Sequence, residues 1–179
     1  MKKNKEKVVC AMSGGIDSSV AAALLSGYAR SRKARKEQGF DVVGVFMKFW
    51  LATPKHGEAG KGYNRCCSPE AEKRARAVAE ILKIPFYVFN FEKEFKKRIV
   101  DYFLKEYKKG ITPNPCVTCN KEIKFGLLLE KALELDADFI ATGHYARIRK
   151  FVNSQPIRYS LISGKDKNKD QSYFLWQLN

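Results

Sequence analysis

The stretch Lys7-Val8-Val9-Cys10-Ala11-Met12-Ser13-Gly14-Gly15-Ile16-Asp17-Ser18-Ser19 decides the fold class. Lys7 to Met12 is a short, largely apolar run of the kind that forms a buried strand, and Ser-Gly-Gly breaks it. A helical pattern follows from about Asp17, with Val20, Leu24 and Leu25 as its expected apolar stripe. A strand that passes through paired glycines into a helix can form an anion nest. Glycine reaches backbone angles closed to other residues, so successive amide N–H groups converge with the helix N-terminus on one concavity. A phosphate is the natural occupant. The Ser13, Ser18 and Ser19 hydroxyls add donors, and Asp17 is suited to a Mg²⁺ ion that screens phosphate charge. The alternative is a tight turn merely capped by serine. Neither G-x-x-x-x-G-K-[ST] nor G-x-G-x-x-G occurs, so P-loop kinase and dinucleotide readings lack their glycines.

Strand and helix signals alternate outward from this loop. Phe40 to Met47 reads as a strand, followed by a loop with Pro54, Gly57, Gly60 and Gly62. Ser68-Pro69-Glu70 combines a capping hydroxyl, proline at the first helical position and a first-turn acid. The helix it starts is expected to reach about Lys83 and bury Ala71, Ala75, Val78 and Leu82. Pro85 to Phe91 reads as a third strand. Phe95, Ile99, Phe103 and Tyr107 recur every four residues, an amphipathic helix stopping at Gly110. Asn120 to Leu135 reads as a further helix, and Ala137 to Thr142 as a fourth strand. The expectation is an α/β, Rossmann-like open parallel sheet with helices on both faces, spanning 1–144. Residues 145–179 read as an antiparallel hairpin turning near Asn153-Ser154-Gln155-Pro156, then a helix start.

A chain of 179 residues suits one compact domain. Its 34 Lys and Arg against 19 Asp and Glu give a formal net charge of +15, which favours a polyanionic partner. Nine basic residues fall by Lys36, and Arg30 to Lys36 suits either a solvated helix end or a phosphate-backbone contact. No apolar run approaches the roughly 18 residues of a membrane span, and Val8 to Met12 is too short for a signal-peptide core. Five cysteines, an odd number, argue against a secreted disulfide framework and for a cytoplasmic setting.

The thiols are Cys10, the adjacent Cys66-Cys67, and Cys116-x-x-Cys119 within Thr112-Pro113-Asn114-Pro115-Cys116-Val117-Thr118-Cys119. The prolines are expected to hold this segment extended, with Cys119 just ahead of a helix near Asn120, where the dipole and free amides favour a thiolate. Lys121 and Lys124 add positive charge. A nucleophilic or sulfur-carrying Cys119 is the reading preferred. A zinc site shared with Cys66-Cys67, an inert buried pair, and an iron–sulfur cluster held by Cys116, Cys119 and a further thiolate remain open. Gly143 and His144 close the fourth strand, at the end where open α/β sheets bind ligands.

Taken together, the chain resembles the bacterial tRNA-specific 2-thiouridylase family. The resemblance rests on Ala11 to Ser18, Gly44 to Lys48, Cys66-Cys67-Ser68, Thr112 to Pro115, Cys119 to Phe125, Ala141 to Tyr145 and Lys169-Asp170-Gln171-Ser172-Tyr173-Phe174-Leu175. The first string is also similar to the SGGxDS loop of ATP pyrophosphatases. The resemblance implies ATP-dependent sulfuration of the wobble uridine of tRNA. ATP would bind at Ala11, Met12, Ser13, Gly14, Gly15, Ile16, Asp17 and Ser18, with Met47 and Gly143 lining the site. Cys119 matches the nucleophilic cysteine. Asn114, Pro115 and Cys116 match contacts to the target base, and His144, Lys169, Asp170 and Gln171 match tRNA contacts. A persulfide donor protein is the implied partner. Where many members carry Asp, this chain has Cys116, a second thiol for a disulfide or cluster. The family continues through a central and a C-terminal domain that carry the second cysteine, the one that receives the persulfide, so the chain looks like the N-terminal catalytic domain alone and is expected to be incomplete for turnover in thiolation. Another ATP-pyrophosphatase thiolase, an amide-forming ligase, and a non-catalytic RNA-binding module with structural zinc or iron–sulfur are the competing readings.

Overall fold

The computed structural model describes residues 5–28, 39–50, 67–152 and 156–178. Strand β1 (Lys7–Ala11) leads to helix α1 (Ile16–Leu25), and β2 (Asp41–Lys48) precedes α2 (Pro69–Leu82) and β3 (Phe86–Asn90). The chain is then helical through α3 (Glu92–Phe95), a π-helical segment Lys96–Val100 and α4 (Asp101–Lys108). A second helical run comprises α5 (Pro115–Cys119), a π-helical segment Asn120–Leu127 and α6 (Leu128–Leu133). It ends before β4 (Phe139–Ala141). The four strands form one parallel sheet in the order β3-β2-β1-β4. Strands β5 (Arg147–Phe151) and β6 (Arg158–Ile162) form the expected antiparallel hairpin, with Arg147 opposite Ile162 and Phe151 opposite Arg158.

Alternation along the central strands sends side chains to two cores, as a sheet covered on both faces requires. Cys10, Met12, Val42 and Phe46 face α2, which buries Ala71, Ala75, Ala79 and Leu82. Val9, Ala11, Val43 and Val45 face Leu128 and Ala132 of α6. Burial pushes the Cys10 thiol up to about 12, so this cysteine is a core residue and chemically quiet.

The start of α2 follows its local signal. Ser68 accepts a hydrogen bond from the Ala71 amide, Pro69 is the first helical residue, and Lys83 ends the helix in a left-handed conformation. The stripe on α1 differs from expectation. Val20 and Leu24 are exposed while Leu25 packs partly buried against the core as expected, and the helix rests on Ser18 and Ala22, with hydrogen bonds to the Ser18 hydroxyl fixing the helix start. The second helical run begins five residues earlier than Asn120. Asn114 caps it, its Oδ1 accepting from the amides of Cys116 and Val117, and Pro115 is the first helical residue. The segment from Pro115 onward is therefore helical and not extended. Beyond the hairpin, Ser172–Leu175 is a short 3₁₀ turn that buries Leu175. Cys66, all of Arg30 to Lys36, the Pro54 to Gly62 loop and the expected turn residues Asn153 to Gln155 lie outside the described residues. Among the described residues, no helix is long and apolar enough to cross a membrane.

Candidate functional site

The strand order turns back at β1, with β2 on one side and β4 on the other, and this switch point is where open sheets leave a crevice. A cavity of about 350 Å³ opens there at the carboxyl ends of β1, β2 and β4. The loop after β1 forms its floor through Ala11, Met12, Ser13, Gly15, Asp17 and Ser18. From β2 and the residue just past it come Phe46, Met47 and Phe49; from the turn after β4 come Thr142, Gly143 and His144. Arg74, Lys124 and Gln171 complete the lining.

The loop is held by tight contacts on two sides. Gly14 has φ +73°, and an added Cβ would overlap the backbone carbonyl of Ala71 at the start of α2. A Cβ on Gly143 would overlap the backbone of Ser18 at the start of α1. The serine hydroxyls brace the loop from within. Ser18 Oγ accepts from the Ser13 amide at 3.1 Å and donates to the Gly15 carbonyl, also at 3.1 Å. Ser19 Oγ donates to the same carbonyl at 2.8 Å. No side chain caps the α1 N-terminus, so its first-turn amides face the cavity end unspent. The turn is thus not a serine cap, and the geometry suits phosphate oxygens. Asp17 supplies one exposed carboxylate beside it, which fits a Mg²⁺ ion whose remaining ligands are phosphate and water.

His144 is kept neutral. Burial first, and the positive charge of Lys124 second, push its pKa down to about 4. Its Nδ1 shares a 2.8 Å hydrogen bond with Thr142 Oγ1, and the Phe125 ring lies 5.7 Å from its own. Between about pH 6.5 and 4 only the unfolded chain protonates this imidazole, so stability should fall as pH drops through that window. The limit is on the order of 3 kcal/mol. Urea unfolding of His144→Gln should lack this component of the acid limb; an unchanged slope would remove His144 from the account.

The predicted residues separate into groups. Ala11, Met12, Ser13, Gly15, Asp17, Ser18, Met47, Gly143, His144 and Gln171 meet in the cavity lining, whereas Gly14 backs onto α2 and Ile16 is 82% exposed. Gln171 is anchored through Oε1, which accepts from the Tyr145 amide. Asp170 turns inward: its carboxylate accepts from the amides of Gly164 and Ser172 and from the Ser172 hydroxyl, and these bonds hold its pKa low. Lys169 is exposed on the same turn. Cys116 is exposed in the first turn of α5, while Cys119 is 8% exposed at the end of that helix. The dipole end of this helix therefore lies at Asn114 and Cys116, not at Cys119. Cys119 belongs to the core cluster that contains Met12, Phe46 and Phe49, on the sheet face that backs the cavity. Asn120 beside it is buried, donating from Nδ2 to the Phe174 carbonyl while its Oδ1 has no partner. Cys116 and Cys119 are thiols, not bridged to each other. Among the described residues, no group of three or more His, Cys, Asp or Glu is arranged to hold a metal ion. The described donor set does not fit a cluster.

Arg74 and Thr142 were not singled out as ligands from sequence, and Lys124 only as charge near the cysteines. Arg74 carries no local signal, being one charge among several on α2.

A glycine loop at the switch point of a parallel sheet defines a class of nucleotide-binding α/β domain, and the chain belongs to the family described as tRNA methyl transferase HUP domain, which matches residues 6–179. Within it, the chain is 52% identical over 179 residues to the tRNA-specific 2-thiouridylase MnmA of Geotalea uraniireducens, covering 99% of this chain and 44% of that protein. It is 49% identical over 173 residues to the MnmA of Clostridium kluyveri, covering 97% and 44% respectively. The chain thus spans less than half the length of the curated relatives it matches. Among solved structures, an NH3-dependent NAD synthetase from Campylobacter jejuni aligns with TM-score 0.42 and 18% identity, over 77% of this chain and 47% of that one.

Proposed function

We propose that the chain binds ATP and uses it to activate a uridine of tRNA for 2-thiolation. The observation that carries this reading is the uncapped, glycine-tightened loop opening into the switch-point cavity. In the reaction the uracil 2-oxygen attacks the α-phosphorus of ATP, the bond to the β-phosphate oxygen breaks, and pyrophosphate leaves. The outer sulfur of a cysteine persulfide then attacks the same ring carbon and AMP departs; attack of a second thiol on the persulfide's inner sulfur breaks the S–S bond, leaving a disulfide and the 2-thiouridine.

The chain's residues divide this work. Loop amides and the Ser13 and Ser18 hydroxyls bind the phosphates, and Asp17 would hold a Mg²⁺ ion, whose charge would offset that on the departing oxygens. Phe46 and Met47 supply apolar surface for the nucleoside, with Gly143 admitting it close to α1. His144, neutral at pH 7, offers a hydrogen bond without adding charge. Asn114, Pro115 and Cys116 lie at the exposed start of α5, available to the target base, with Lys169 beside the tRNA backbone. Cys119 provides the nucleophilic thiol, the second thiol of that exchange, on the helical run that also delivers Lys124 to the cavity. A persulfide donor protein supplies the sulfur.

ATP–pyrophosphate exchange tests the reading. Label from pyrophosphate should enter ATP when total tRNA is present and fall to background without it. Exchange that ignores tRNA, or none in either condition, would overturn the assignment.

A further inference from the structure

We propose that Arg74 is a pyrophosphate-binding residue and that, with Lys124, it supplies the positive charge the glycine loop lacks. This inference rests on the nucleotide reading above and deepens it. Ala11 to Ser19 contains no Lys or Arg, so the loop offers a polyphosphate only oriented dipoles and hydroxyls, beside the negative Asp17. A triphosphate carries about four negative charges at neutral pH, and partial charges at one helix terminus are worth only about half a unit. Cations must come from elsewhere in the cavity.

Arg74 and Lys124 are the Lys and Arg residues in its lining, and they arrive from two separate helical runs. Arg74 is tied to the loop itself, since its Nε donates to the Gly14 carbonyl at 3.0 Å. That bond uses one donor and leaves the terminal nitrogens, the planar fork that matches phosphate oxygens, without a described hydrogen-bond partner. On the helical runs that carry Arg74 and Lys124, Glu72 pairs with Arg76 at 2.9 Å and Glu122 with Arg98, and Lys48 pairs with Glu92. Among the described residues, neither Arg74 nor Lys124 has an ion-pair partner within 4.0 Å. Glu70, one turn before Arg74 on α2, feels its charge without forming such a pair. Two cations without ion-pair partners facing one cavity repel each other, an arrangement that an anion between them relieves.

The Gly14 anchor assigns Arg74 to the end of the nucleotide that the loop grips, the departing pyrophosphate. Lys124 enters the cavity near enough to His144 for its charge to act on that ring. The helix amides and the guanidinium would bind the same phosphates from two directions.

Calorimetric titration with ATP, inorganic pyrophosphate and adenosine tests this. Arg74→Gln should weaken ATP and pyrophosphate at least tenfold and leave adenosine within twofold. Arg74→Lys should recover only part of the loss, because a point charge cannot both hold Gly14 and present a fork. Lys124→Gln should weaken ATP at least fivefold while keeping its melting temperature. If Arg74→Gln binds ATP and pyrophosphate like the parent chain, the assignment fails. It also fails if adenosine is lost in the same proportion, since Arg74 would then only be shaping the loop. A parent chain that binds neither ATP nor pyrophosphate would overturn the nucleotide reading itself, and this inference with it.

Discussion

Gly14→Ala is expected to destabilise the chain by about 2–4 kcal/mol and to lower ATP affinity at least tenfold. Two independent effects act at this position. The left-handed backbone at φ +73° costs an L-residue about 1–2 kcal/mol. The new methyl would also enter the Ala71 carbonyl, which is backbone at the start of α2 and has no rotamer through which to yield. The loop or the helix must move, and either movement disperses the converging amides. For a domain of this size the loss corresponds to roughly 5–15 °C in Tm. Gly15→Ala is the control. Gly15 has φ −91°, and its Cβ would meet only Ser13 Oγ, at 3.4 Å, so its Tm should shift by less than a third as much. Equal losses at the two glycines would mean that the close approach to α2 is not what shapes the loop.

Cys119→Ser should reduce sulfur transfer to tRNA by about 10³-fold or more while leaving ATP–pyrophosphate exchange within twofold. The separation follows from where the thiol sits: it backs the cavity from the core and does not line it, so ATP activation proceeds without its sulfur. A hydroxyl is nearly isosteric with the thiol but cannot act as a sulfur nucleophile or close a disulfide. Assayed in the longer protein with a persulfide donor, retained transfer would remove Cys119 from its assigned role. Labelling gives an independent view. With limiting iodoacetamide, exposed Cys116 should react well before Cys119 and Cys10, which are 8% and 0% exposed. A slow Cys119 that becomes reactive on adding ATP and tRNA would show that the substrates open its surroundings. That exposure step is needed before a donor can reach it.

Much of the site was legible because its signals are local. The β1–loop–α1 stretch, the Ser68-Pro69 cap and the strand-end Gly143-His144 each depend on residues a few positions apart, and each lies where expected. The helix carrying Cys119 shows how one local signal can mislead. Pro113 and Pro115 suggested an extended segment, yet Asn114 between them is a cap and Pro115 is a favourable first helical residue. Moving that start by five residues transferred the helix terminus from Cys119 to Cys116 and turned Cys119 into the core. On α1 periodicity alone allowed either face to be buried. The bonds through Ser18 fix the helix start, and the face with Ala22 is buried while Val20 stays 49% exposed.

The amino-acid sequence by itself therefore determined the kind of fold, the anion-binding loop and the family strings, since capping, backbone preference and periodicity act over one or two turns. Tertiary structure decided the strand order, the close approach of Gly143 to Ser18, and the reach of Arg74 to a carbonyl 60 residues earlier. Contacts of that span are fixed by how layers pack around the sheet. A charged residue in the middle of a helix looks the same in sequence whether it meets water or a phosphate.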